Sequence, residues 1–370
     1  MTTDAVGGVW TYALELGALL GEAGVAVELA AMGPAPSAEQ REAAGRIPGL
    51  RLHHRPYRLE WMEAPWEDVA QAGGWLRGLA EAHDVDLVHL NGYAHGALDW
   101  GRPAVVVAHS CVLSWWQAVK GESAPAEWTR YRAKVSAGLR GAQAVVAPTA
   151  AMLDALERYY GAFERRRRLR PGHAPRTRRV IHNGRDARLF HPRPKRPYVM
   201  AAGRLWDEAK NIAALAQVAP SLPWPVYVAG DTESPDGGTA PCAHLRTLGA
   251  LPPVMLARWL GEAGIYALPA RYEPFGLSAL EAALSGCPLV LGDIPSLREL
   301  WSGAAHFVPP DDPAALAYTL TALMNDPAAR VTMARAALVR AQRYSRAAMG
   351  AGYLRLYADL ITTERKQACG

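Results

Sequence analysis

The residues best suited to chemistry lie in two stretches, GRLWDEAKN around Arg204 and Lys210, and RYEPFGLSALEAAL around Glu273 and Glu281. In the first, two cations follow a short apolar run, where a strand hands over to a loop. Arginine binds phosphate as a planar fork and lysine as a point charge, so the pair suits a diphosphate. Ion pairs with Asp207 or Glu208 are the structural alternative. In the second, IYALPA reads as a strand and a helix is expected to begin near Leu277. The amides of Phe275, Gly276 and Leu277 would then open a helix N-terminus, a ready anion site. Gly276 leaves room for close backbone approach. Glu273 before the helix and Glu281 about a turn inside it could reach opposite ends of an elongated ligand whose phosphates lie between them. A capping carboxylate plus a solvated helix residue is the plainer account of the two glutamates.

These residues need a scaffold that ends strands side by side. The chain supplies short apolar runs alternating with amphipathic stretches, the pattern of doubly wound α/β layers. The first half carries a helical stretch from Trp10 to Leu20 and the strands VAVELAAM, VDLVHLN, PAVVVAHS and AQAVVAPT. A second series runs YVMAAGR, PVYVAGD, IYALPA, PLVLGD and AHFVPP, and the chain is helical from Asp312 onward. Pro- and Arg-rich composition marks a linker over 181–197. The expected organisation is a Rossmann-like domain over 1–180, the linker, a second Rossmann-like domain over 198–345, and a helical segment over 346–370. Two such domains facing a central cleft would bind ligands at the carboxyl edges of their sheets.

In the first domain Gly7 and Gly8 precede a helix, a turn that permits close approach to a ligand, although two glycines alone say little. Only MTTDAV stands before them. Six such residues cannot supply an ordinary buried strand of ~5–6 residues plus its turn. The first strand is therefore expected to be truncated, by about eight residues, and the sheet weak at its middle. His109 ends VVVAHS and falls at the cleft by topology, though a lone histidine is as often structural. Trp115 and Trp116 follow it and are candidates for stacking on a sugar-bearing acceptor, against the ordinary packing role of tryptophan.

A chain of 370 residues exceeds what one core usually organises. Half its residues are apolar and a fifth charged, as in ordinary globular proteins. No apolar run approaches the ~18–20 residues of a membrane span. The N-terminus has no basic region leading into an apolar one, so a cytoplasmic location is expected. Cys111, Cys242, Cys287 and Cys369 fit neither a disulfide framework nor metal spacing, and His53, His54, His182 and His191 have no companion ligands at metal spacing. No Ser, His and Asp set suggests a hydrolytic triad. The net charge of +5 is concentrated in residues 164–179. The block between Arg165 and Arg179 is expected to be a solvated loop, or a peripheral contact with the inner membrane face, since each basic residue near anionic lipid contributes ~1 kcal/mol. No recognition helix or stacking motif accompanies it, so nucleic acid is not an expected partner.

Taken together, these motifs resemble the family-four retaining glycosyltransferases of GT-B fold. The likeness covers nearly the whole chain, from GGVWTYALEL to YLRLYADL, and is most specific at GRLWDEAKN and RYEPFGLSALEAALSGCPLVLGDIPSLREL. The resemblance implies transfer of a sugar from a UDP- or GDP-sugar to a glycan, lipid-linked or small-molecule acceptor, with retention. It implies that Arg204 and Lys210 hold the donor diphosphate and that Glu273 bonds hydroxyls of the donor sugar. The amides around Phe275, Gly276 and Leu277 would assist with phosphate and sugar, and Glu281 would grip the ribose. His109 would line the sugar site, Gly8 would belong to a glycine loop near donor and acceptor, and the last helix would cross back onto the first domain. With cations and a helix N-terminus to stabilise the leaving diphosphate, no metal or other cofactor is expected. The chain departs from the pattern in two places. The Asn-Gly-aliphatic-Asp turn reads Asn183, Gly184, Arg185, Asp186, and the arginine block is an insertion. A nucleotide-sugar epimerase of the same fold and a non-catalytic nucleotide-sugar-binding protein are the competing readings.

Overall fold

The computed structural model describes residues 1–162, 177–233 and 238–368, and the side chains as far as 366. The chain divides into two compact units, one of Met1–Trp116, Glu122–His182 and Arg346–Gly370, the other of Gln117–Gly121 and Asn183–Ser345. The arginine block to which a membrane contact was assigned lies outside the described residues, except for its last two arginines, Arg178 and Arg179. Cys369 lies outside them too. No helix among the described residues is long and apolar enough to cross a membrane.

The first unit runs β1 (Thr2–Asp4), α1 (Gly8–Glu22), β2 (Val27–Met32), α2 (Ala38–Gly45), β3 (Leu50–Arg55), α3 (Trp66–Ala82), β4 (Val88–Leu90), β5 (Ala104–Val107), α4 (Val112–Lys120), α5 (Thr129–Gly141), β6 (Ala144–Ala147), α6 (Ala150–Tyr160) and β7 (Thr177–Val180). Its strands form two parallel blocks, β1-β2-β3 and β4-β5-β6-β7. The first strand is short, as expected, but it is not missing. Thr2, Thr3 and Asp4 pair with Ala30, Ala31 and Met32, and both threonines are buried. Between β1 and β4 no ladder forms among the described residues. Asn91 bridges the gap instead, its amide N–H donating to Thr2 Oγ1 at 2.8 Å and its Nδ2 to the Thr2 carbonyl at 2.7 Å. The middle of the sheet is thus two blocks, bridged by the amide and side chain of Asn91 and packed on a shared core.

Fully buried strands carry apolar residues on both faces. In β5, Val106 packs with Leu90, Leu139 and Leu156 on one side, while Val105 and Val107 face Leu16, Leu29 and Val146 on the other.

The second unit runs β8 (Arg196–Ala202), α7 (Ile212–Val218), β9 (Val226–Ala229), β10 (Arg246–Thr247), α8 (Pro253–Glu262), β11 (Ala263–Leu268), α9 (Leu277–Leu284), β12 (Leu289–Gly292), α10 (Pro295–Trp301), β13 (His306–Val308), α11 (Pro313–Asn325) and α12 (Pro327–Ala341). The final helix, α13 (Arg346–Ala368), is counted with the first unit. All six strands are parallel, in the order β10-β9-β8-β11-β12-β13. That order reverses between β8 and β11, the switch point at which open α/β sheets bind ligands. Alternate residues of these two central strands enter opposite cores, Val199, Ala201, Ile265 and Ala267 on one face, Met200, Ala202, Tyr266 and Leu268 on the other. Of the stretch expected as a linker, Asn183 onward is counted with the second unit. Lys195 donates to the Gly261 and Ser285 carbonyls, each at 2.8 Å, so one cation closes the ends of α8 and α9, where helix dipoles favour it.

Candidate functional site

In the second unit the candidate residues sit on the two loops that leave the switch point. After β8 the chain turns at Gly203, whose φ of 149° is open to glycine, and delivers Arg204. Gly230, after β9, packs so close that a Cβ there would lie 1.7 Å from the Gly203 carbonyl oxygen. Asp207 is buried and accepts from Ala209 N–H at 3.0 Å and from Arg204 Nη2 at 2.8 Å. The plainer reading of Arg204 therefore holds in part. Its guanidinium has a carboxylate partner and also lies over the Trp206 ring, 5.3 Å from the centroid.

Lys210 pairs with a different carboxylate. Its Nζ lies 2.6 Å from Glu273 Oε2, and both side chains are largely sheltered, 14% and 13% exposed. Asn211 adopts a left-handed φ of 57° and is buried. Its Nδ2 donates to the carbonyls of Pro269 and Pro310 at 2.9 and 2.8 Å, and its Oδ1 accepts from Arg271. Asn211 thus locks the loop after β8 to the loop after β11, which fixes the spacing of Lys210 and Glu273. Asp207 was expected only as an ion-pair partner of the cations, and Asn211 was not singled out from sequence; the polar residue next to Lys210 was the available signal.

Glu273 is held at both ends. Its Oε1 accepts from Gly276 N–H at 3.0 Å, and its backbone carbonyl accepts from Ser296 Oγ. Gly276 caps α9 at φ 84°, a left-handed conformation that suits glycine, and Phe275 is buried with its ring edge-on to Tyr344. The helix begins at Leu277, where expected. Of the three amides predicted to face an anion, that of Gly276 is directed to Glu273. Glu281 is buried in α9, not solvated, and its Oε1 lies 2.8 Å from Arg185 Nε. That arginine is the residue standing in the aliphatic place of the turn, so the departure noted in the sequence bears directly on the second glutamate.

In the first unit, Gly7 caps α1 at φ 92° and Gly8 is the first helical residue. Asp4 Oδ1 accepts from Val6 N–H at 2.8 Å and closes the turn that joins β1 to this helix. His109, past the end of β5, joins a buried network. Its Nε2 lies 2.8 Å from Asn91 Oδ1, and the Tyr12 ring stands edge-on 4.5 Å away. His89 Nε2 reaches the same oxygen at 3.1 Å, and His89 Nδ1 meets Tyr357 Oη at 2.6 Å. Asn91 Nδ2 is committed as a donor to Thr2, so Oδ1 can only accept and His109 Nε2 carries the hydrogen. Its Nδ1 is left as an acceptor. Burial pulls the pKa of both histidines down to about 3, so each is neutral near pH 7. Glu60, whose pKa burial raises, accepts from the amides of Tyr93 and Ala94 and braces the loop that carries Asn91. Trp115 and Trp116 lie half-buried in α4, ring against ring at 5.9 Å, with Trp128 next to Trp116 at 6.4 Å. His89 and Asn91 were missed because VDLVHLN reads as a strand whose polar residues carry no periodic signal.

The fold is that of the GT-B glycosyltransferases, with two Rossmann-like domains. The profile of Glycosyltransferase Family 4 matches residues 6–189, and that of the Glycosyl transferases group 1 matches residues 196–326. The chain belongs to the family-four, group 1 glycosyltransferases. It is 28% identical over 408 residues to a D-inositol 3-phosphate glycosyltransferase of Xylanimonas cellulosilytica, covering 99% of this chain and 94% of that relative. A glycogen synthase of Mycobacterium tuberculosis is 32% identical over 219 residues, 55% of this chain and 50% of that protein. Among solved structures, sucrose-phosphate synthase of Thermosynechococcus elongatus superposes with a TM-score of 0.79 at 18% identity, covering 98% of this chain and 99% of that one. The Anabaena protein HepE, solved in complex with UDP-glucose, gives a TM-score of 0.70 at 19% identity, with 98% and 99% covered.

Proposed function

We propose that the chain transfers a sugar from a nucleoside-diphosphate donor to an acceptor hydroxyl, with retention and without a divalent metal. The observation that carries this reading is the meeting of Lys210 and Glu273 at the switch point, with Arg204 on the same loop as Lys210. A donor laid there would offer its diphosphate to the two cations and its sugar hydroxyls to Glu273. The bond between the anomeric carbon and the β-phosphate oxygen breaks, and one from that carbon to the acceptor oxygen forms. The acceptor proton passes to the leaving phosphate oxygen, whose growing charge Arg204 and Lys210 offset. Attack from the face of departure accounts for retention without a protein nucleophile. Glu281, oriented by Arg185, takes the ribose. The amides near Phe275, Gly276 and Leu277 assist with phosphate, and Gly8 borders the donor. His109, neutral with a free Nδ1 lone pair, accepts from a sugar hydroxyl, and Trp115 and Trp116 face the acceptor.

Calorimetric titration with UDP-, GDP- and ADP-glucose in EDTA, followed by NMR of the product anomer, tests the proposal. D-inositol 3-phosphate, for which several relatives are named, is the first acceptor to try. One donor should bind, and Lys210→Met should weaken it. Absence of binding by any donor refutes the donor assignment, and an inverted product refutes retention. Conversion of the donor sugar without an acceptor would instead favour an epimerase.

A further inference from the structure

The first unit contains a second cluster of chemistry-bearing side chains. Glu28 near the start of β2, His53 in β3 and His83 at the C-cap of α3 offer three ligand atoms within 4.8 Å of one another. Glu28 Oε2 lies 2.7 Å from His53 Nε2, and Glu28 Oε1 lies 3.6 Å from His83 Nδ1. The imidazole centroids are 5.5 Å apart. The carboxylate is sheltered, 9% exposed, while each histidine is 26% exposed, so an ion could enter from solvent. No local motif encodes the set. It arises only when β2 pairs with β3 and α3 ends beside them, which is why the expectation of no companion ligands for His53 is corrected here.

We propose that Glu28, His53 and His83 bind a divalent transition-metal ion of the zinc class, with water completing the coordination. Two imidazoles and one carboxylate are a donor set that zinc accepts readily, and calcium and magnesium do not. Tetrahedral ligands placed ~2.0–2.1 Å from zinc stand about 3.3 Å apart, so Glu28 and His53 need only spread slightly from their present contact. Arg51 is the competing cation, its Nη2 2.7 Å from Glu28 Oε1, but its side chain is 66% exposed and can swing into water.

The site is structural. His83 closes the carboxyl end of α3, and such helix ends lie at the edge of the sheet opposite the loops that hold Gly7, Asn91 and His109. The helix α3 is the crossover from β3 to β4, which means from one block of the split sheet to the other. A metal bound to β2, β3 and the end of α3 clamps the two blocks at the edge remote from Asn91.

The test is thermal unfolding of the whole chain in EDTA and in Zn²⁺ or Mg²⁺, with calorimetry for stoichiometry. Zn²⁺ at about a hundredfold over its Kd should raise the midpoint by roughly 5 °C or more, and Mg²⁺ should not. His53→Gln with His83→Gln should abolish the zinc-dependent shift, while His191→Gln should keep it. Because each variant is compared with itself in EDTA, a general loss of stability does not mimic the result. If the double variant does not fold, X-ray absorption of the zinc-loaded wild type decides, two imidazoles in the coordination sphere supporting the site. No shift in the wild type, a shift that survives in the double variant, or a sphere without two imidazoles overturns it.

Discussion

Replacing Gly230 by alanine probes whether backbone close-packing sets the position of the cationic loop. The new Cβ would stand 1.7 Å from the Gly203 oxygen and 2.9 Å from its carbonyl carbon. Carbon and oxygen atoms in ordinary contact keep ~3.5 Å, so the two backbones must part by about 1.5 Å or more. Gly230 also has a φ of 138°, where a side chain is strained by ~1–3 kcal/mol. Overpacking adds ~1–3 kcal/mol. A total of roughly 2–6 kcal/mol lowers the thermal midpoint of a unit this size by about 5–20 °C. Because Arg204 follows Gly203 directly, a shift of that order should also reduce donor turnover by about 100-fold. Differential scanning calorimetry and steady-state kinetics measure the two effects, with Gly74→Ala as control. Gly74 lies in α3 with nothing within 4 Å of its added Cβ, so that variant should be neutral or slightly stabilised. A Gly230→Ala protein that melts within about 1 °C of wild type, with unchanged turnover, would refute the packing argument.

Three further outcomes follow from the geometry. Lys210→Met should lower kcat by about 10²–10³-fold, the usual loss for one charge-stabilising group, while circular dichroism shows the fold intact. Arg185→Leu removes the cation 2.8 Å from the buried Glu281 carboxylate and should destabilise by up to ~3–5 kcal/mol. Urea unfolding of a double-mutant cycle with Glu281→Leu should then show a coupling of more than ~1 kcal/mol, and additive effects would count against the pair. His89 and His109 hold folded pKa values near 3 against 6.5 unfolded, so the unfolded chain binds more protons between those values. Stability is complete above pH 6.5 and is lost on acidification, by about 3 kcal/mol between pH 7.5 and 5.5 for the two together. Urea unfolding at both pH values checks this, and a His89→Phe variant should halve the slope.

Much of the second unit was legible because its strands are short apolar runs that end at glycine or proline beside charged residues. YVMAAGR and IYALPA gave both loops of the switch point, and EPFGL placed the start of α9 at Leu277. The partners of those residues were not legible. Lys210 and Glu273 are 63 residues apart and meet only through strand order, and Asn211 reaches Pro310 across 99 residues. The first strand was judged by ordinary length, whereas Thr2–Asp4 pair in register with β2 and the Met1 amine donates to the Glu28 carbonyl at 2.7 Å. Strand β3, LRLHHR, was passed over because its middle is two histidines rather than branched apolar residues. The same histidines hid a cluster whose other members, Glu28 and His83, lie far off in sequence.

The helix α13 supplies Met349, Tyr353 and Leu356 to the core formed by Trp10, Tyr12, Leu16 and Leu20, and Gly350 lets it lie against Leu19. On the ribosome this reverses the usual order, in which the N-terminal domain folds first. Residues 183–345 emerge as a nearly self-sufficient block, while the apolar face of α1 waits for a partner that is translated last. At ~5–20 residues per second, that wait is about 15–65 s. During it the nascent first unit carries an uncovered apolar stripe on α1, the kind of surface that chaperones shield during synthesis.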